Sequence, residues 1–198
     1  MAKLKAPLLS FGASGKLADT LVYFPWKGLA VVRSYVIPAN PNSAGQQTQR
    51  GILTESVASW HALGLDDDDV TAWNRYAASR PTPQSGFNAF VKDFVDLRVS
   101  GVILADTDMC YNGGLVDDGD GTFSAAVSTP AGPDHVDMIW GYSPTSLINT
   151  VTDAVGPSPW TFAPANNVAG RTIYARFRAE NAGGAARGWS GIYRLVMA

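Results

Sequence analysis

The side chains of this 198-residue sequence best suited to chemistry are two imidazoles, one thiol and several short carboxylate runs. A catalytic imidazole needs a nucleophile or acid within reach and a third group to orient it. His61 follows Trp60 in a helical pattern and His135 opens a strand-like run, and both read as surface or edge residues. Gly-x-Ser-x-Gly, His-Glu-x-x-His and phosphate-loop spacings do not occur. Gly12-Ala13-Ser14-Gly15-Lys16 has glycines and a lysine without the phosphate-loop spacing or a following helix, so it reads as a turn. The expectation is a protein that is not an enzyme, with no catalytic residue, cofactor or resident metal.

Two carboxylate runs test that expectation. Asp117-Asp118-Gly119-Asp120-Gly121 is rich in oxygen donors, yet it lacks the twelve-residue spacing and closing glutamate of a hand-type calcium loop. A tight hairpin turn is the preferred reading, with calcium, helped by Asp106 or Asp108, as the alternative. Asp66 to Asp69 stand just before a helical pattern, where negative charge stabilises the positive end of the helix dipole. A cap with a solvated face is preferred there over a cation site. Cys110 is the only cysteine, so neither an intramolecular disulfide nor a thiolate metal centre can form, and synthesis in a reducing cytoplasm is expected.

The aromatic residues carry more information. Trp60 and Trp73 sit in helical stripes and are expected in a core. Trp26 lies at a turn and Trp160 follows Pro159 at the start of a short strand. With Lys27 and Tyr35 they are the candidate interface residues, able to stack on sugars or anchor a protein contact. The competing reading of the two tryptophans is a cap over a sheet edge.

These residues need elements to position them. Hydrophobic residues make up 46% of the chain and charged ones 16%, with 20 Gly and 12 Pro, a balance that favours short strands and many turns. Residues 1–100 hold ten Lys or Arg and eight acids, and residues 101–198 five Arg and nine acids. Neither half has the clustered cations that nucleic-acid binding requires. The start of the chain lacks the apolar run of a signal peptide, and no segment approaches the ~20 apolar residues of a membrane span. A soluble protein is expected.

Leu21 to Phe24 and Leu29 to Ile37 flank Pro25-Trp26-Lys27-Gly28, which predicts a hairpin closed by a type I turn, with Leu8 to Phe11 joining the same sheet. Helices are predicted from Ala44 with Leu53, Val57 and Trp60 on one face, after Asp69 with Val70, Trp73, Tyr76 and Ala77, and after Ser85 with Phe87, Phe90, Val91, Phe94 and Leu97. Ser100-Gly101 is the expected boundary. Beyond it, Gly101–Ala105, Thr122–Ser128, Asp134–Tyr142, Trp160–Ala163, Arg171–Glu180 and Trp189–Val196 predict short strands at sandwich-like spacing.

Ile173, Ala175, Phe177 and Ala179 alternate with Tyr174, Arg176, Arg178 and Glu180, and Asn181, Gly183-Gly184 and Gly188-Trp189-Ser190 follow. This stretch resembles the last two strands of fibronectin type III domains, which implies an immunoglobulin-like β-sandwich over residues 101–198. Gly15-Lys16, Trp26-Lys27-Gly28, Val32-Arg33-Ser34, Pro38-Ala39-Asn40-Pro41, Gln46-Gln47, Arg50, Trp73-Asn74, Gly86-Phe87-Asn88 and Phe90 together resemble a domain of unknown function found in phage and prophage genes.

The fold expected is a two-part α+β chain: a hairpin and three short helices in residues 1–100 as a particle-attachment domain, then the sandwich. The resemblance implies a non-enzymatic virion structural protein made in the host cytoplasm, a capsid decoration (cement) or tail accessory protein present in multiple symmetric copies. Its partners would be other capsid or tail subunits, with no nucleic acid or membrane. A glycan- or receptor-binding adhesion module on a host surface is the alternative.

Overall fold

The computed structural model describes residues 2–4, 14–37, 39–40, 42–101, 109–111, 114–119, 122–127, 133–153, 159–162, 170–181 and 188–197. They form two compact units, Met1–Ser43 and Ala44–Ala198. Among these residues the architecture is α+β, with three helices and three antiparallel sheets.

The first unit is a four-stranded sheet of β1 (Ala2–Leu4), β2 (Gly15–Leu17), β3 (Leu21–Trp26) and β4 (Leu29–Ser34), in the order β1-β4-β3-β2. The predicted hairpin is β3–β4, but its turn differs from the expected one. Trp26 pairs with Leu29, so the loop is Lys27-Gly28 alone, with φ of 50° and 77°. Two left-handed residues make a type I′ turn, whose twist matches the strands where a type I turn would splay them. Pro25 therefore lies inside β3. It pairs with Ala30 one step from the turn-closing pair, a position whose N–H points away from β4, and β2 reaches only as far as Tyr23. A missing donor is tolerated there. Leu8 to Phe11 fall outside the described residues.

The second unit begins with α1 (Ala44–Ala62), α2 (Asp67–Ser79) and α3 (Gly86–Val99). The acidic run caps α2: Asp69 N–H donates to Asp66 Oδ1 at 2.8 Å and Asp66 N–H to Asp69 Oδ2 at 3.2 Å, a reciprocal capping box. Ser85 caps α3 through a 3.2 Å bond from Asn88 N–H. Trp73, Ala77, Ala89, Phe90 and Phe94 close the helical core with Leu63 and Met109, and Trp60 packs edge-on to Phe87 and Phe90. Leu53, expected on the inner face of α1, is half exposed, and the buried position on that helix is Ser56.

Seven further strands make two sheets. β11 (Tyr193–Val196), β10 (Thr172–Asn181), β7 (Pro133–Gly141) and β8 (Asn149–Asp153) form one, and β5 (Leu115–Asp117), β6 (Phe123–Ala125) and β9 (Trp160–Phe162) the other. The two-residue period sends Val136, Met138 and Trp140 of β7 and Ile173, Ala175, Phe177 and Ala179 of β10 into one core. Phe123, Ala125, Trp160 and Phe162 of the smaller sheet complete it, with the Phe162 and Phe177 rings 5.6 Å apart. β5 and β8 had no counterpart among the predicted strands. Gly101–Ala105 lies almost wholly outside the described residues.

The compact units divide between Ser43 and Ala44, whereas the sequence pattern placed a boundary at Ser100-Gly101. The physical reason is α2, which belongs to both cores. Ala72 packs in the core of the two sheets while its neighbour Trp73 packs among the helices. Ile192 N–H donates to Ala72 O at 3.0 Å, Arg75 Nη1 to Ile192 O at 2.6 Å, and Tyr193 O–H to buried Asp69. Gly191 permits this approach, because a Cβ there would stand 2.6 Å from the Ala72 carbonyl carbon and the Trp73 nitrogen. Gly191→Ala is expected to cost about 1–3 kcal/mol, the usual penalty of overpacking. Urea denaturation followed by circular dichroism measures it, and an unchanged midpoint would contradict the close approach.

Candidate functional site

Cross-strand partners share a sheet face, so the pairing assigns each residue of β2, β3 and β4 to a side. On one side stand Lys16, Val22, Phe24, Trp26, Val31 and Arg33. Tyr35, just past β4, joins them: its ring lies 4.6 Å from Lys16 Nζ, and its N–H bonds Thr20 O at 2.7 Å. The Arg33 guanidinium sits 5.4 Å from the Phe24 ring. This face is aromatic and cationic, and Trp26 is 55% exposed. Ring faces attract cations through their quadrupole, by about 0.5–1 kcal/mol at exposed positions. Lys16 Nζ also forms an ion pair with Asp19 Oδ1.

Of the sequence-derived interface residues, Trp26 and Lys27 thus meet at the hairpin tip, with Lys27 in the turn itself. Tyr35 lies at the far end of the same face, and Phe24 and Arg33 join the two ends. Lys16, Phe24 and Arg33 were not among the interface residues expected from the sequence. Phe24 and Arg33 share a face in either pairing, but a four-residue turn takes Trp26 out of the strand that aligns it with them.

Trp160 is corrected. It is 2% exposed, pairs with Ala125 and belongs to the two-sheet core, so it is not a surface residue and cannot stack on a sugar. The adhesion alternative loses the aromatic group on which it rested.

In the second unit, β-pairing gathers polar groups that are far apart in sequence. His135 pairs with Glu180 and Asp137 with Arg178 on the outward side of β7 and β10. Donor atoms of His135, Asp137 and Glu180 all lie within 4.8 Å of one another. Arg178 Nη2 sits between the acids, 3.0 Å from Asp137 Oδ2 and 3.3 Å from Glu180 Oε2, and Thr152 Oγ1 donates to Asp137 Oδ1 at 2.6 Å. Partial burial opposes ionisation of Asp137, yet the bonds from Thr152 and Arg178 and the charges of Arg178 and His135 outweigh it and hold the carboxyl below its usual range. Both carboxylates of the group thus already have Arg178 as a cationic partner. His61 is exposed on α1.

Asp117 and Asp118 behave as turn residues. Asp117 Oδ1 accepts from Gly119 N–H at 3.0 Å, and Asp118 Oδ1 from Ser124 Oγ at 3.1 Å. Asp106, Asp108 and Asp120 lie outside the described residues. A cleft near the start of α2 is lined by Asp66, Asp68, Asp69, Leu115, Val116 and Tyr193, but Asp66 and Asp69 are committed to the helix cap and Asp69 also to Tyr193. No helix among the described residues is long and apolar enough to cross a membrane. No protein-family model matches the chain, and no curated protein or solved structure does so either.

Proposed function

We propose that the chain is a non-enzymatic structural protein of a phage particle, a capsid decoration or tail accessory protein, attached through the aromatic and cationic face of its N-terminal sheet. The observation that carries this reading is the poor self-sufficiency of that sheet. Val31 is the only buried hydrophobic residue among the described residues of Met1–Ser43, while Leu17, Trp26 and Leu29 are each close to half exposed and Val36 and Ile37 more so. A unit of that size seldom folds stably without a staple or a partner surface. The unit has five Lys or Arg against one acid, whereas residues 44–198 have ten against sixteen. An acidic, partly apolar protein surface repeated over a particle fits it.

The resemblance of residues 10–95 to a domain of phage and prophage genes supplies the context. The second unit serves as the displayed part. Seven strands divided four and three, with chain crossings between the sheets at β6–β7, β8–β9 and β9–β10, support an immunoglobulin-like, fibronectin type III-like reading of it.

The test is co-sedimentation with particles purified from cells carrying the gene, with mass spectrometry of the pellet. Wild-type chain is expected in stoichiometric amounts in the particle fraction. Trp26→Glu with Arg33→Glu is expected to bind at least tenfold more weakly, because exposed Trp and Arg anchors each typically contribute more than about 1 kcal/mol. Wild-type chain found only in the supernatant would overturn the reading.

A further inference from the structure

The polar cluster on the outward side of β7 and β10 has the composition and spacing of a metal-ligand set. His135 and Asp137 stand two apart on β7 and so share a face, and Glu180 is the cross-strand partner of His135. An imidazole and two carboxylates therefore meet in one patch, with a donor atom of each within 4.8 Å of the other two. None of the three side chains is more than 27% exposed, which sets them apart from freely solvated surface charges. We propose that His135, Asp137 and Glu180 bind a zinc ion, in exchange for the Arg178 guanidinium that the two carboxylates otherwise share.

The geometry suits zinc. Histidine nitrogen and carboxylate oxygen bind it at roughly 2.0–2.2 Å, so two ligands of a tetrahedral site stand about 3.4 Å apart. His135 Nε2 is 4.0 Å from Glu180 Oε2, too far for a hydrogen bond between them and close to that ligand spacing. Shifts of under about 1 Å by each side chain bring the three donors to tetrahedral separations, with the fourth position left for water. The imidazole selects against calcium and magnesium, which take oxygen ligands. Thr152 Oγ1, from β8, donates to Asp137 Oδ1 at 2.6 Å and orients that carboxylate, as the outer partners of metal ligands do. The strand register also shifts immediately beyond the His135–Glu180 pair, where Asn181 meets Pro133, and such irregularities re-aim side chains.

Arg178 is an incomplete match for the group. With the imidazole in the neutral form that a ligand requires, one guanidinium stands against two carboxylates, whereas a divalent ion balances both. The Arg178 Nε is buried and makes no hydrogen bond among the described residues. Its guanidinium carbon is also 5.2 Å from the Trp189 ring, so the arginine keeps a cation–π partner when the carboxylates turn to zinc. β7 and β10 are the two middle strands of their sheet, and an ion held by both clips them together. A metal that binds only the folded chain raises its stability.

The experiment is isothermal titration calorimetry of the full-length chain with zinc chloride at about pH 7.5, paired with thermal melts in zinc and in EDTA. Wild-type chain is expected to bind one equivalent and to melt higher in zinc than in EDTA. His135→Ala and, independently, Glu180→Gln should each weaken binding at least tenfold. Arg178→Met should tighten it at least tenfold, and its melting temperature should fall in EDTA and recover in zinc, a rescue that a purely structural ion pair does not produce. His61→Ala, on α1, should change binding less than twofold, and magnesium chloride should not raise the melting temperature. Circular dichroism identifies any variant that fails to fold, and either ligand variant alone suffices. Wild-type chain that takes up no zinc, uptake unchanged by both ligand variants, weaker binding by Arg178→Met, or an equal response to magnesium would overturn the proposal. No particle enters the measurement, so its failure leaves the attachment reading standing, and the reverse holds.

Discussion

Replacing Trp73 by alanine is expected to lower the unfolding free energy of residues 44–198 by about 3–5 kcal/mol, the range for deleting a fully buried large aromatic side chain. Trp73 is 0% exposed on α2, edge-on to Phe90 at 5.2 Å and to Tyr76 at 5.7 Å. The void would open where α2 passes from the helical core to the core of the sheets, one residue from Ala72. The loss is therefore expected in both parts together: the helical signal in circular dichroism and the fluorescence of Trp140 and Trp160 should shift to the same lower urea midpoint. Trp73→Phe keeps a ring against Phe90 and should lose clearly less. A helical midpoint that falls while the tryptophan midpoint of the sheets stays put would show that the helices fold separately. A loss under about 1 kcal/mol would contradict the packing.

Asp93→Ala is the second large effect, expected at about 3 kcal/mol. The carboxylate stands between two guanidinium groups: Oδ1 accepts from Arg80 Nη1 at 3.0 Å and Tyr76 O–H at 3.3 Å, and Oδ2 from Arg176 Nη2 at 3.5 Å. Arg176 is 7% exposed, lies 3.8 Å from the Tyr76 ring and donates from Nε to Ser190 O at 2.7 Å. Without Asp93 a nearly buried cation keeps one carbonyl and one ring face, with Arg80 as a like charge beside it. Burial pushes the Tyr76 phenol up; Arg176 pulls it down and Asp93 pushes it further up, so the hydroxyl stays protonated and donates at neutral pH. Asp93→Asn retains an acceptor and should cost an intermediate amount. Asp93→Ala with Arg176→Met should cost less than the two single changes together, because no buried charge is then left unpaired. Equality of the double loss with that sum would show the groups to be uncoupled.

Both effects arise at the joint between helices and sheets, and that joint was the least legible part of the sequence. The helical stripe of Val70, Trp73, Tyr76 and Ala77 was plain. That Ala72, one step round the helix, meets Ile192 depends on a contact 120 residues away and on the absence of a Cβ at Gly191. Arg176 and Asp93 have the same character: each looks like an ordinary exposed charge in its own alternating strand or amphipathic helix. Only the packing of α3 beside β10 makes them partners.

What the sequence determined by itself is local. The helix periods, the caps at Asp66 and Ser85, the alternation through Thr172–Asn181 and the existence of the β3–β4 hairpin all follow from interactions between residues a few positions apart, and these act wherever the segment ends up. The tertiary structure decided which faces are covered. Alternation divides a strand into two sides without saying what packs on either, so Trp160 and Trp26, both beside a proline, part company: one lies with Phe162 on the core side of its sheet, and the other is more than half exposed. The turn between β3 and β4 decided the rest, since it keeps Pro25 and Trp26 in the strand, with Trp26 paired to Leu29, where a four-residue turn would put both in the loop. Lys27-Gly28 in the left-handed region gathers Lys16, Phe24, Trp26, Arg33 and Tyr35 on one face and leaves the other without charge.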